Sequence, residues 1–223
     1  MEKIRIWSGG KTALPTVYIH SVAGDGHQVW EACRRIGCPD FNLVSVYDFD
    51  FEGELTPWTA PGVRKGQPPF KGNAERYLTE LLDRIMPETE AKLPAPPLYN
   101  ALAGYSLAGL FALWSAWKTD RFARIACGSA SFWYPGFFEY AVSHPMVRRP
   151  DFMSLSLGDN ESGTKHPVMS RVGECTDKIL ELLEGHAIPY CFEINPGNHF
   201  TEPDLRLAKA IARMLDGQDS IMG

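Results

Sequence analysis

Hydrophobic and polar positions along the chain change period repeatedly, and the changes divide it into alternating strands and helices. Lys3 to Trp7 alternates as an edge strand does, and Thr16 to His20, after the turn-rich Ser8-Gly9-Gly10-Lys11, is β-branched and aromatic. The small, polar run Ser21-Val22-Ala23-Gly24-Asp25-Gly26 then makes a loop. From about His27 to Ile36 the apolar positions Val29, Trp30, Cys33 and Ile36 keep helical spacing, and Gly37 ends the helix. Phe41 to Tyr47 is nearly continuous in apolar residues, which suits a parallel strand covered on both faces. Asp48 to Lys71, rich in proline and aromatic residues, is expected as one long irregular stretch; such a loop in a compact domain is usually functional or disordered, and its aromatic clusters favour function. Asn73 to Met86 sets Ala74, Tyr77, Leu78, Leu81, Leu82 and Ile85 on one helical stripe, with Pro87 as its stop.

Lys92 to Pro97 leads into the apolar strand that ends at Tyr105, and Leu107 to Trp117 is apolar almost all round, as a helix buried in the interior is. Phe122 to Ala126 is a short strand that breaks into a small-residue loop ending in Phe132, Trp133 and Tyr134. Phe152 to Leu157 is the next strand. A helix from near Pro167 buries Val168, Val172, Cys175, Ile179 and Leu182 and stops at Gly185. Tyr190 to Ile194 is the last strand, and Thr201 is expected to cap the last helix, with Glu202, Pro203 and Asp204 in its first turn. Strand and helix alternating through most of the chain predict an α/β fold, a mainly parallel central sheet flanked by helices on both faces. A chain of 223 residues, 44% hydrophobic, fits one domain spanning 1–223.

Composition narrows the function. The formal net charge of -5 comes with no basic cluster, which argues against nucleic acid as a partner. Met1 to Trp7 lacks the layout of a signal peptide, and no stretch approaches the ~20 apolar residues needed to span a bilayer, so a cytoplasmic protein without a membrane partner is expected. The cysteines at 33, 38, 127, 175 and 191 are odd in number and form no C-x-x-C pair, so neither a disulfide framework nor a zinc knuckle is expected. Neither H-E-x-x-H nor a tight His/Asp cluster points to metal hydrolysis.

The candidate chemistry centres on Ser106. In Gly104-Tyr105-Ser106-Leu107-Ala108-Gly109 small residues let a strand turn sharply into a helix, a turn that presents its serine hydroxyl outward. The pattern departs from G-x-S-x-G in carrying Ala108 at the second glycine, and a serine before an apolar run is also a common helix cap. Loops after three successive strands hold, in chain order, Ser106 at the turn, an acid just past Gly158, and His199 just before a helix. Serine, acid, histidine is the order expected of an α/β-hydrolase. The acid is Asp159 or Glu161. The loops at the carboxyl ends of parallel strands surround the ligand crevice, which makes Trp133 and Tyr134 candidates for substrate contact or for plain packing. Trp58 either packs on a substrate or pins its loop.

GYSLAGLFAL, SLGDNE and NPGNHF together resemble the putative-esterase family of α/β-hydrolases, which includes the enterobactin-type siderophore esterases and esterase D-like enzymes, and the resemblance covers most of the chain. It implies a serine carboxylic-ester hydrolase with no cofactor, acting on a small-molecule ester through a serine, acid, histidine triad and an acyl-enzyme intermediate. The family's usual H-G appears here as His20-Ser21, and no large lid is inserted. In the resembling esterases the acid commonly stands three residues after a strand-end glycine, which selects Glu161 and leaves Asp159 to bond its own turn. Oxyanion donors are expected from the backbone N–H groups of Leu107 and Val22. An acyltransferase using the same triad, and a catalytically silent binding protein on the same fold, remain the alternatives.

Overall fold

The computed structural model describes residues 2–217. Its strands are β1 (Lys3–Trp7), β2 (Thr16–His20), β3 (Asn42–Tyr47), β4 (Thr59–Ala60), β5 (Phe70–Lys71), β6 (Asn100–Tyr105), β7 (Arg124–Gly128), β8 (Phe152–Gly158) and β9 (Tyr190–Asn195). Its helices are α1 (His27–Arg35), α2 (Phe51–Glu54), α3 (Ala74–Glu80), α4 (Met86–Glu90), α5 (Leu107–Trp114), α6 (Phe137–Ser143), α7 (Val172–Gly185) and α8 (Pro203–Asp216). The main sheet runs β1-β3-β2-β6-β7-β8-β9, and β4 and β5 form a separate small ribbon. Among the described residues, only β1 is antiparallel to its neighbour in the main sheet.

The central strands are buried on both faces, which is why they read as unbroken apolar runs. Successive side chains point to opposite sides. Val17, Ile19, Leu43 and Ala101 pack on one face against Val29 and Cys33 of α1 and Leu207 and Ile211 of α8. Tyr18, Val44 and Leu102 pack on the other against Leu110, Phe111 and Trp114 of α5 and the remaining helices. This is the mainly parallel sheet flanked by helices on both faces that the alternation predicts.

Chain direction across the sheet reverses between β2 and β6. From β2 the chain steps outward to β3, whereas from β6 it steps the other way through β7 and β8 to β9. Ligands of open parallel sheets bind outside the carboxyl ends of the strands at such a reversal. Here β2 and β6 are hydrogen-bonded neighbours, so the loop after His20 and the turn at Ser106 open onto the same crevice.

Several boundaries differ from the expectation. The helix does not stop at Pro87: a π-helical turn over Leu81–Ile85 separates α3 from α4, and Pro87 lies in the first turn of α4, where a missing N–H is tolerated. The stretch 48–71 is not wholly irregular, since α2 and the β4–β5 ribbon organise it. Helix α6 follows the aromatic loop, where no helix was expected, and α7 begins at Val172 rather than near Pro167. Thr201 does not cap the last helix. Glu202 holds the cap position at φ 48, and the Thr201 hydroxyl instead accepts from Asn198 N–H at 3.1 Å.

Candidate active site

Ser106 leaves β6 at φ 59 and ψ -122, a left-handed conformation that a non-glycine residue adopts only when its surroundings impose it. Those surroundings are β6 and α5, pressed together so closely that a Cβ on Gly104 would lie 2.1 Å from the Ala108 carbonyl carbon. That close contact is with the backbone of residue 108, so Ala108 meets the need as glycine does. The hydroxyl makes no hydrogen bond to the helix end, which removes the capping role. The Ser106 carbonyl accepts instead from the Ser131, Gly109 and Leu110 N–H groups and locks the turn.

Three loops converge on that hydroxyl. His199 Nε2 is 3.1 Å from Ser106 Oγ, and His199 Nδ1 is 2.8 Å from Glu161 Oε2. The other carboxylate oxygen, Oε1, accepts from Ser129 Oγ at 2.6 Å, Gly158 N–H at 2.7 Å and Arg206 Nη1 at 3.1 Å. Burial pushes the Glu161 carboxyl up, but hydrogen bonds from His199, Ser129 and the Gly158 N–H outweigh it and hold the group below the usual range. Gly158 is required at the strand end, because a Cβ there would lie 2.8 Å from Arg206 Nη1 and 2.9 Å from Glu161 Oε1. Arg206 also donates to Pro196 O at 2.7 Å, and Tyr105 donates from its hydroxyl to His199 O at 2.8 Å. The histidine loop is thereby tied to β6 and α8.

The structure therefore brings Ser106, His199 and Glu161 together and keeps Asp159 out of their chain of bonds. Asp159 Oδ1 accepts from Gly197 N–H at 2.8 Å, bracing the histidine turn from outside. Leu107, as the first residue of α5, has an N–H without an acceptor inside the helix, and it borders a cavity of about 480 Å³ that also touches Ser106, Val22, Trp133 and His199. Val22 stands 76% exposed on the rim.

Trp58 and Tyr134 fall elsewhere. Tyr134 is buried, donating from its hydroxyl to Trp58 O at 2.5 Å, and Trp58 Nε1 donates to Pro135 O at 2.8 Å. The two pin the β4–β5 ribbon to the loop before α6 instead of lining the cavity, so the expectation of substrate contact is corrected for both.

Arg206 and the serines 129 and 131 were not anticipated. Ser131 Oγ lies 3.2 Å from Ser106 Oγ. Arg206 had a legible signal, since it shares a helical stripe with Ala210 and Met214 on the buried side of α8, where an unpaired charge is not tolerated. The serines had none, being two small residues in a loop of small residues.

Residues 27–188, well over half of the chain, match the family described as "Putative esterase". A protein of Bacillus subtilis (strain 168), described as uncharacterized protein YbbA, is 22% identical over 188 residues, covering 79% of this chain and 72% of its own. Among solved structures, an IroE-like serine hydrolase from Shewanella oneidensis superposes with a TM-score of 0.75 at 17% identity, covering 96% of this chain and 76% of that one. The siderophore hydrolase EstA from Aspergillus nidulans gives 0.73 at 20% identity, with 94% and 88% covered. At such identities the superpositions establish the fold, and the family match establishes the kinship. The chain belongs to the "Putative esterase" family and is an esterase built on the α/β-hydrolase fold.

Proposed function

We propose that this protein hydrolyses a small carboxylic ester through an acyl-enzyme formed on Ser106. The observation that carries the proposal is the unbroken chain from Glu161 through His199 to Ser106, at 2.8 and 3.1 Å, on a serine held at positive φ. His199 Nε2 takes the hydroxyl proton as Ser106 Oγ attacks the ester carbonyl, a contribution of ~100 to 10,000-fold for a positioned base. The oxyanion that forms is met by the Leu107 N–H and by an N–H of the loop after β2, with Val22 on its rim; such donors supply about 3 kcal/mol each. As the intermediate collapses, the same imidazole returns the proton to the departing alcohol. Water then repeats the sequence on the acyl-enzyme. Glu161 holds the imidazole in the tautomer that leaves Nε2 free to accept, and stabilises the imidazolium.

Ser106→Ala tests the reading, because it deletes only the attacking oxygen. Hydrolysis of p-nitrophenyl esters should fall by at least ~1,000-fold with the fold intact by circular dichroism, and fluorophosphonate labelling should disappear. Undiminished turnover by the variant would end the proposal.

A further inference from the structure

The hydroxyl of Ser106 has a second hydroxyl beside it. Ser131 Oγ lies 3.2 Å away, is buried, and has no other hydrogen-bond partner among the described residues. Its place is fixed by its own backbone: the Ser131 N–H donates to Ser106 O at 3.0 Å, and the Ser131 carbonyl accepts from Tyr134 N–H at 3.0 Å. Two residues earlier, Ser129 donates from its N–H to Ser156 O at 2.8 Å and from its hydroxyl to Glu161. The protons available decide which of the two neighbouring hydroxyls donates. The Glu161 carboxylate can only accept, so the Nδ1 proton of His199 points to it and Nε2 offers a lone pair. Ser106 has one hydroxyl proton, and it goes to that lone pair. The contact between the serines therefore runs from Ser131 O–H to a lone pair of Ser106 Oγ. A hydroxyl oxygen has a second lone pair, which is left to meet the ester carbonyl.

That bond changes strength as the reaction proceeds. Before attack it is already made, so it gains little when Oγ approaches the ester. An acylated Oγ shares its lone pairs with the ester carbonyl and accepts poorly. Once water has added and the bond from the acyl carbon to Oγ breaks, the electron pair returns to Oγ, which then accepts strongly. Only an interaction that is stronger in the transition state than in the ground state accelerates a step. Resting on the acyl-enzyme reading above, we infer that Ser131 is a catalytic residue of the second half-reaction, donating to Ser106 Oγ as that oxygen leaves the acyl group. The proton that Oγ takes up comes from Nε2 of the imidazolium, and Ser131 keeps its own.

Ser131→Ala deletes the donor and keeps the N–H bond to Ser106 O. In stopped-flow hydrolysis of p-nitrophenyl butyrate, deacylation should slow about tenfold, as the loss of a hydrogen bond to a charge-bearing oxygen gives, while acylation and kcat/KM change less than about threefold. KM then falls together with kcat, and the burst of p-nitrophenol approaches the number of sites titrated by a fluorophosphonate. Ser131→Thr, which keeps a hydroxyl, should recover part of the deacylation rate; Ser131→Cys, of similar size but a weak donor, should not. Where the alanine variant is unfolded by circular dichroism, Ser131→Cys carries the same comparison. Equal losses in acylation and deacylation overturn the inference, because they leave Ser131 only the shaping of the turn. An unchanged deacylation rate overturns it too, with the acyl-enzyme still standing. Wild-type protein that neither turns over the ester nor labels with the fluorophosphonate removes the acyl-enzyme reading and this inference with it.

Discussion

The crevice has two walls, and they are held in different ways. On the β8, β9 and α8 side, both carboxylate oxygens of Glu161 are hydrogen-bonded, and Arg206 ties that carboxylate to the histidine loop while being almost fully buried. On the β2 and β4–β5 side, Val22 and Arg64 stand exposed on loops, and the second loop is held largely by Gln67 accepting from Val63 and Arg64 N–H and by His166 at Val63 O. Proton transfer needs positions fixed to within about half an ångström, and dense bonding into buried elements supplies that. Recognition tolerates looser loops, which can be changed without disturbing the chemistry.

The sharpest way to break the contrast is to neutralise the buried wall at its centre. Glu161→Gln keeps the shape and removes the charge facing the imidazole, so kcat should fall by ~100 to 10,000-fold in stopped-rate assays. Asp159→Asn, one turn away but outside the chain of bonds, should change kcat less than about threefold. An exchange of those two phenotypes would make Asp159 the orienting acid.

Arg206→Met probes the same wall through stability. It leaves Glu161 buried with its strongest countercharge gone, and the urea midpoint should report a loss of about 3 to 5 kcal/mol. A loss below about 1 kcal/mol would show that the remaining donors suffice alone.

Acid offers a third test, and it reaches under the looser wall. His20, at the end of β2, is packed among Phe49, Tyr77 and Phe111, with no hydrogen-bond partner for either ring nitrogen among the described residues, and burial pushes it down to about 3. The unfolded imidazole titrates near ~6.5, so below that pH the unfolded chain takes a proton that the folded chain refuses. Stability is therefore complete above ~6.5 and falls by about 1.4 kcal/mol per pH unit on the way to pH 4. Glu161, held below its usual range, acts in the same direction at the lower end. Urea midpoints measured from pH 7 to pH 4 check this. His20→Phe should flatten the upper part of the slope, and a slope unaltered by that change would remove His20 as its source.

Trp58→Phe should do least. It deletes the bond to Pro135 O, costs about 1 kcal/mol in thermal unfolding, and leaves the preference among esters unaltered, because the ring braces the ribbon from outside the cavity. A change in specificity would return Trp58 to the binding surface.

How much of this could be read from residues alone divides along the same line. The strands and the turn at Ser106 are local patterns, each visible within about ten residues, and the order of serine, acid and histidine follows once such segments are placed along the chain. The Ser129 and Arg206 contacts to Glu161 join residues far apart in the chain, and no local period encodes them. Trp58 and Tyr134 misled because an aromatic residue in a loop is equally suited to a ligand and to a neighbouring loop, and only the partner distinguishes the two. Pro87 misled because a preceding π-helical turn lets the helix restart around it.

The left-handed backbone of Ser106 has a consequence for the chain's history. Holding a non-glycine residue there costs on the order of 1 to 3 kcal/mol, a sizeable part of the 5 to 15 kcal/mol by which ordinary domains are stable. Glycine would relieve that strain and leave nothing to attack an ester, so selection for robustness alone would drive the serine out. On the proposed mechanism, its presence at φ 59 is a case of reactivity kept at the expense of durability.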